Sequence, residues 1–467
     1  MLDDDLRPRG EAATPYEPEF PRPGWAEQNP AVWEAALGPT IAQALDVAEI
    51  PAHQVAALGI AGQLDGCVAV DDDGRALVPC LIWMDRRADA EAAVVDEERL
   101  RDVAGITRDA SHMAAKIRWL KRDLSAARFH QPVSYLVARL TGRHVFDHGL
   151  ASTTMLYGLA ARTFDPDLLA AFEIAADELP EIAEATEAAG ALTADGAALC
   201  GLPQGITVAV GTGDDFSTPL GAGLVGPGRV ACVLGTAEVV GALDRAAKID
   251  RAGLVETHSY AGGHFFVENP GWLSGGALAW LRDLLGFADF AALDTAADGV
   301  PAGAEGVTFL PALSGAMAPA WVAAARGCFY GLTASHGAGH LARAVLEGCA
   351  FAMRDVVDRL SEMGIATDGL LLLGGGAASR VWAGIRADCT GRSAEVPKLR
   401  DTSPVGAAMC AAVAAGLHDD LLDCAASVGT IAETVEPDPA RKGAYDDAYG
   451  AYRRLFDSLG PMFAGAT

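Results

Sequence analysis

Apolar and polar positions alternate in two distinct rhythms along this chain. In "AVWEAALGPTIAQAL" apolar residues recur at helical spacing, so the Pro-rich "PEFPRPGWAEQNP" before it reads as an ordered loop leading into a helix. "VAALGIAGQ" predicts a buried strand ending in a loop. In "CVAVDDDGRALVPCLIW" an acidic turn lies between apolar runs at 67–70 and 77–83, the pattern of a β-hairpin. A helix is expected from about residue 87, "AAKIRWLKRDL" and "VSYLVARLTG" read as amphipathic helices, and the Ala-rich 165–202 reads as helical.

The texture changes after "ITVAVGTGDDFSTPLGAGLVGPGRV". Strand patterns "RVACVLG", "AEVVGAL" and "HFFVEN" follow one another as a meander. Then come a helix over 273–285, the strand "VTFLPAL", a long helix over 339–363, the strand-turn-helix unit "LLLLGGGAASRVWAGIRADCTG" and a further helix in "TSPVGAAMCAAVAAGL". A meander followed by alternating helix and strand fits an α/β domain with a mixed central sheet. The Gly-rich 221–228 reads as a hinge, which divides the chain into domains 1–224 and 225–467 facing each other across an interdomain cleft. No internal repeat or low-complexity tail interrupts this pattern.

Composition narrows the partners. With 467 residues, 51% of them hydrophobic, and 53 glycines, the chain can bury large cores. Sixty-two acidic against 35 basic residues give a net charge of −27, which repels nucleic acid and anionic membrane surfaces. No run reaches the roughly 18 apolar residues that a membrane span needs, and no signal-peptide pattern opens the chain, so the cytoplasm is the expected location. Nine cysteines without C-x-x-C pairs or His clusters suggest neither a disulfide framework nor a zinc site.

Three turns could carry chemistry. "VAVGTGDDFSTPLGAG" runs a strand into a turn exposing Asp214 and Asp215; by itself this is either a ligand-facing strand end or an acidic surface turn. "VLGTAE" places Gly235 and Thr236 between two apolar strands, as an anion-binding nest or as a plain hairpin turn. "LLLLGGGAAS" lets a ring or phosphate lie on bare backbone near a helix start. It has neither G-x-G-x-x-G spacing nor a P-loop lysine. An acidic turn at the hinge, a Gly-Thr hairpin and a late Gly-rich turn, in that order, suit a nucleotide clamped between two lobes.

With these turns in place the chain resembles the FGGY carbohydrate kinases, within the wider actin-like ATPase fold of two ribonuclease H-like domains. "GCFYGLTASHGAGHLARAVLE", residues 327–347, satisfies that family's long C-terminal signature, including the gap before His340. "KIRWL" matches the core of its other signature, with Met113 and Asp123 departing from it. The resemblance implies an ATP- and Mg²⁺-dependent transfer of phosphate to a small sugar, a ketose such as xylulose or a related polyol. It makes Asp214 the general base and a water-mediated Mg²⁺ contact, and Asp215 a partner for another sugar hydroxyl. Gly235 and Thr236 fall to the terminal phosphates of ATP, and Gly375, Gly376 and Ala377 to the adenosine. The "GQLDG" turn, where xylulokinases carry "GQMHG", gives Gln63, Leu64 and Asp65 to the sugar, with a solvated turn as the bland reading of Asp65.

Asp85 and Arg86 in "WMDRR" are expected either near the sugar or in a structural ion pair, and Trp25 as a core anchor or a stacking wall. "LSGAMAPAW" lacks the charged residues of the xylulokinase "LSGERTP", which changes the polar contacts available to a sugar. The family begins with a strand and a "D-x-G-T" phosphate turn. Nothing before "MLDDDLRPRG" supplies it, so this form is expected to hold Mg·ATP weakly. The rival expectation is a catalytically impaired protein of this fold that binds sugar or nucleotide without efficient turnover. The resemblance also allows a homodimer.

Overall fold

The computed structural model describes residues 1–464. The chain forms two compact units. The first contains Met1–Val225, Thr257–Phe265 and Thr402–Gly429; the second contains Gly226–Glu256, Phe266–Asp401 and Thr430–Thr467. The division at 225 thus leaves two later segments, 257–265 and 402–429, packed with the first unit. The physical reason is visible at each. Thr257 N–H donates to Gly105 O at 2.9 Å and Ser259 N–H to Ser152 Oγ at 3.1 Å. Helix Ser403–Ala414 lies against helix Asp214–Gly221 so closely that a Cβ on Gly221 would fall 1.9 Å from Thr402 O, and one on Gly406 2.1 Å from Ser217 O. Only glycine at both positions allows that approach.

The first unit is assembled from short strands. Ala57–Leu58 and Ala61–Gly62 run parallel to Thr207–Ala209 and Thr212–Gly213, so the expected single strand in "VAALGIAGQ" is two short pieces. The acidic hairpin forms: Val70 bridges Ala76 and Cys67 bridges Leu81, with Gly74 N–H donating to Asp71 O at 3.0 Å in the turn. The helix of 31–45 forms as Pro30–Ala48, capped by Asn29, whose side chain accepts from Ala31 N. Region 165–202 departs from its helical reading. It contains helices Pro166–Phe172 and Ala194–Cys200, but also strands Glu181–Ala183 and Ala188–Ala191, which pair with Val145–Asp147 and Thr207–Ala209. Alanine is tolerated in strands where cross-strand partners are waiting, and tertiary pairing overrides its helical preference here.

The second unit is built on a mixed sheet with strands in the order His264–Leu273, Ala237–Asp244, Gly228–Leu234, Thr367–Leu373, Ala394–Pro397 and Ile431–Val435. Gly228–Leu234 is antiparallel to Ala237–Asp244 and parallel to Thr367–Leu373. The long helix Ala338–Glu362 covers this sheet with sixteen buried residues, among them Leu346, Phe351 and Val356. The 327–347 signature supports that packing. Glu347 accepts Gly303 N–H at 2.9 Å and pairs with Arg343 at 2.7 Å, and the Trp382 indole donates to Leu346 O at 3.0 Å. In "LSGAMAPAW", Ala316 and Ala318 are buried in the same core.

No helix among the described residues is long and apolar enough to cross a membrane. All cysteines are free, and every one but Cys328 is buried.

Candidate active site

In the first unit, two parallel strands end side by side. Ala61–Gly62 runs into Gln63, Leu64 and Asp65; Thr212–Gly213 runs into Asp214 and Asp215, which open an eight-residue helix. Leu64 lies over Gly213 so tightly that a Cβ there would meet its Cδ2 at 1.8 Å. Residues from "GQLDG" and from "GTGDD" therefore share one strand end, where ligands of parallel sheets bind.

Each carboxylate there is held by its surroundings. Asp65 has φ +59, its N–H donates to Gln131 Oε1 at 2.9 Å, and its Oδ2 lies 3.2 Å from His112 Nδ1. Its Oδ1 is buried with no hydrogen-bond partner among the described residues. Lys116, fully buried, donates to the carbonyls of Asp65 at 2.7 Å and Ile82 at 2.9 Å. Burial brings its pKa down to about 8, against the support of the Asp65 charge. Thr212 donates to the buried Asp147 Oδ2 at 2.8 Å, which ties the acidic turn to strand Val145–Asp147. Asp147 itself is pushed up to about 6 by burial.

Asp214 and Asp215 are both half-buried. Burial raises Asp214, opposed by hydrogen bonds from the backbone N–H groups of Asp214 and Asp215. Burial pushes Asp215 up to about 8, with the neighbouring charges of Asp214 and Asp65 adding to the effect. The three carboxylates thus form one electrostatic cluster, in which a proton is retained near neutral pH.

The second unit repeats this geometry with different chemistry. Strands Gly228–Leu234 and Thr367–Leu373 run parallel, and turns 235–236 and 374–377 leave the same end. Gly235 and Thr236 are exposed, and the Thr236 hydroxyl has no partner among the described residues. The turn's carbonyls are taken by the start of helix Gly275–Leu285: Gly276 N–H donates to Thr236 O at 3.0 Å and Gly275 N–H to Gly235 O at 3.2 Å. Behind it a buried pair, Arg386 Nη2 to Glu238 Oε2 at 2.7 Å, ties the hairpin to helix Arg380–Thr390, and Ser274 Oγ donates to the same carboxylate at 2.6 Å. Gly374 has φ +76, and a Cβ there would come 2.9 Å from Leu234 O. Gly375 is open backbone, Gly376 is half-buried, and the Ala377 methyl points into the core.

These turns sit within two family domains. Residues 4–221 match the N-terminal domain of the FGGY family of carbohydrate kinases, and residues 230–415 match its C-terminal domain. The chain belongs to this family. It is 31% identical over 454 residues to a xylulose kinase of Escherichia coli (strain K12), covering 95% of this chain and 93% of that protein. It is 31% identical over 434 residues to a glycerol kinase of Thermococcus kodakarensis, covering 88% and 84%. The crystal structure of a xylulose kinase from Rhodospirillum rubrum superposes with a TM-score of 0.87 at 33% identity, covering 97% of this chain and 94% of that one. The fold is accordingly the two-domain actin-like ATPase fold, and the chain is an ATP- and Mg²⁺-dependent carbohydrate kinase, a phosphotransferase.

The residues fit these groups. Gly375 borders open space, while a Cβ on Gly374 or Gly376 would press on Leu234, so this turn stays bare backbone, and the acidic turn offers hard carboxylate oxygens. No group of three or more His, Cys, Asp or Glu residues able to hold a metal occurs among the described residues. Mg²⁺ keeps most of its waters and takes one or two carboxylates beside substrate phosphate, a demand the acidic turn can meet.

The remaining sequence candidates separate in this kinase. Gln63 donates to Gln28 Oε1 at 2.7 Å. Asp85, fully buried, accepts Ala26 N–H at 2.7 Å and is gripped by Arg87 at 2.7–2.9 Å. Arg86 is half exposed and pairs with Asp109 instead. Trp25 is the shelf for Arg87, whose guanidinium lies 3.6 Å from its ring centroid, with Trp119 edge-on at 5.7 Å. Asp85 is in an ion pair, with Arg87 and not Arg86 as its partner.

Reading the sequence did not single out Gln131, His112 or Asp147, and gave Lys116 no role. Lys116 alone left a trace, as a lysine on the apolar face of helix Met113–Leu120.

Proposed function

We propose that this kinase transfers the γ-phosphate of ATP to a hydroxyl of a small, neutral ketose or polyol, xylulose-like, with Asp214 as general base. The observation that carries the reading is the carboxylate cluster of Asp65, Asp214 and Asp215 at one pair of strand ends. Three carboxylates accept hydroxyl protons well and repel a carboxylate on the substrate, which disfavours sugar acids. The relatives named as xylulose and glycerol kinases act, by those names, on uncharged polyhydroxylated substrates.

Asp214 takes the proton of the attacking hydroxyl as its oxygen bonds to the γ-phosphorus and the bond to ADP breaks. A carboxylate with a raised pKa is the better acceptor. Asp215 and Asp65 hold neighbouring hydroxyls, while Gln63 and Leu64 shape the floor. The exposed Gly235 and Thr236 face the terminal phosphates, and the backbone of Gly375, Gly376 and Ala377 supports the adenosine. Bound Mg²⁺ supplies charge neutralisation on the phosphates, with Asp214 as its protein contact through water.

The test is a coupled assay over ketoses, polyols and sugar acids with the parent and Asp214→Ala. Turnover on a neutral substrate, lost by roughly 10²- to 10⁴-fold in the variant with nucleotide affinity retained, is expected. A variant keeping more than about a tenth of the parent rate removes Asp214 from the mechanism. Absence of turnover on every substrate favours a binder that has lost catalysis.

A further inference from the structure

The first unit holds a second polar cavity that the reaction does not use. Its volume is about 640 Å³, within the roughly 300–1,000 Å³ of small-molecule sites, and Arg128, Arg143, Arg162, His144 and His148 line it. Burial holds His144 and His148 below the usual histidine range and the lining also carries Asp177 and Glu181, so the positive charge of the wall comes from the three arginines. Two of the arginines are already engaged: Arg143 pairs with Glu181, and Arg162 donates to Glu184 Oε1 at 2.7 Å. Among the described residues Arg128 has no carboxylate partner.

The histidines are fixed. His130 Nε2 lies 2.9 Å from His144 Nδ1, and His148 Nδ1 lies 2.7 Å from the Tyr157 hydroxyl. The rest of the lining suits a polyhydroxylated body. Phe164, Leu179, Pro180 and Ile182 give an apolar wall, while Thr163, Asp177 and Glu181 offer groups for hydroxyls.

We propose that this cavity is a ligand site separate from the kinase turns, and that it takes a phosphorylated sugar or polyol with its phosphate on Arg128. A guanidinium on the cavity wall with no carboxylate partner among the described residues matches a phosphate oxygen, and the cavity is too large for a bare ion. The site has a physical route to the acidic turn. Arg143 and His144 immediately precede strand Val145–Asp147, whose last residue accepts the Thr212 hydroxyl two positions before Asp214. Occupancy of the cavity would therefore bear on the placement of the general base.

The test is calorimetry on the full chain saturated with Mg·ADP, using a pentose 5-phosphate, glycerol 3-phosphate and inorganic phosphate as probes. The parent is expected to bind at least one ester more tightly than inorganic phosphate, and Arg128→Gln to weaken that ester roughly tenfold or more with the ATP KM unchanged. Arg162→Gln, which removes a cavity cation at the rim, carries the same test if Arg128→Gln does not fold. Absence of ester binding at millimolar concentration, equal binding of inorganic phosphate, or ester binding unaltered in both variants overturns the proposal. A parallel rise in the ATP KM overturns it too, since it would assign the bound phosphate to the kinase turns.

Discussion

The turn pair of the first unit and that of the second are built alike. In each, two neighbouring parallel strands end together and a glycine lets the chain pass close to its neighbour: Gly213 beneath Leu64, and Gly374 against Leu234 O. What they present differs. The first pair presents half-buried carboxylates; a buried lysine and a glutamine from distant parts of the chain hold the Asp65 backbone, and Thr212 ties the acidic turn to Asp147. The second exposes backbone and one hydroxyl, with its ion pair buried behind the turn. The difference suits the proposed division of substrates between the two turn pairs. A hydroxyl must lose a proton and be distinguished from its neighbours, which needs side chains of chosen pKa. A triphosphate and a flat base need N–H groups and room, which backbone supplies without desolvating a charge.

The largest expected effects come from breaking each pair at its own chemistry. Asp65→Ala should raise the sugar KM by roughly 10- to 100-fold, the worth of one or two hydrogen bonds to a charged group, and leave the ATP KM nearly unchanged. Gly374→Ala should do the reverse. It forces a Cβ onto φ +76 and to within 2.9 Å of Leu234 O, so the turn must shift, at about 1–3 kcal/mol of strain. Steady-state kinetics in both substrates measure the two together. Equal effects of either variant on both KM values would dissolve the division of labour and leave Asp65 with a structural role only.

Much of this was legible in the sequence, and what was not has a physical reason. Long strands with strong apolar runs, such as Gly228–Leu234 and Thr367–Leu373, and helix Ala338–Glu362 declare themselves by periodicity. Strands as short as Glu181–Ala183 and the Ala-Gly strand Ala188–Ala191 carry too little pattern to compete with the helical preference of alanine. The acidic and glycine turns were visible because each is a local motif. Their supports were not, because they exist only as pairs: Asp65 with Gln131 across 66 residues, Thr212 with Asp147 across 65, and Glu238 with Arg386 across 148. Nothing local to Gln131 or Asp147 marks it for that role.

Lys116 sharpens the comparison by asking whether a support behaves like the site it supports. Lys116→Met keeps most of the apolar stem and removes the ammonium, leaving the carbonyls of Asp65 and Ile82 without their donor. Each unsatisfied carbonyl is worth about 1–3 kcal/mol, so the melting temperature should fall. If the lysine positions Asp65, the sugar KM should rise several-fold with the ATP KM constant, while Lys116→Arg recovers part of the loss. A fall in stability with both KM values unchanged would make Lys116 a core residue only.

The smallest effect concerns the proton that the acidic cluster retains. Asp215 has its pKa raised to about 8 in the folded protein by burial and by the charges of Asp214 and Asp65, against an ordinary value of 3.8. A carboxyl that holds its proton more tightly folded than unfolded favours the folded state only while it is protonated there. Its contribution is therefore constant below pH about 4, declines as pH rises from there to about 8, and is flat again above. Asp215→Asn removes that titration and leaves a side chain of nearly the same shape. Thermal melts of the free protein should show the variant gaining on the parent by a few degrees between pH 5 and pH 8.5, with the difference growing as pH rises. The backbone-lined turns of the second unit contain no such carboxylate, so Thr236→Val should shift the melt by the same amount at both pH values. A difference for Asp215→Asn that stays constant, or shrinks, with rising pH would mean that Asp215 ionises normally and that the carboxylates of the first unit do not act as one cluster.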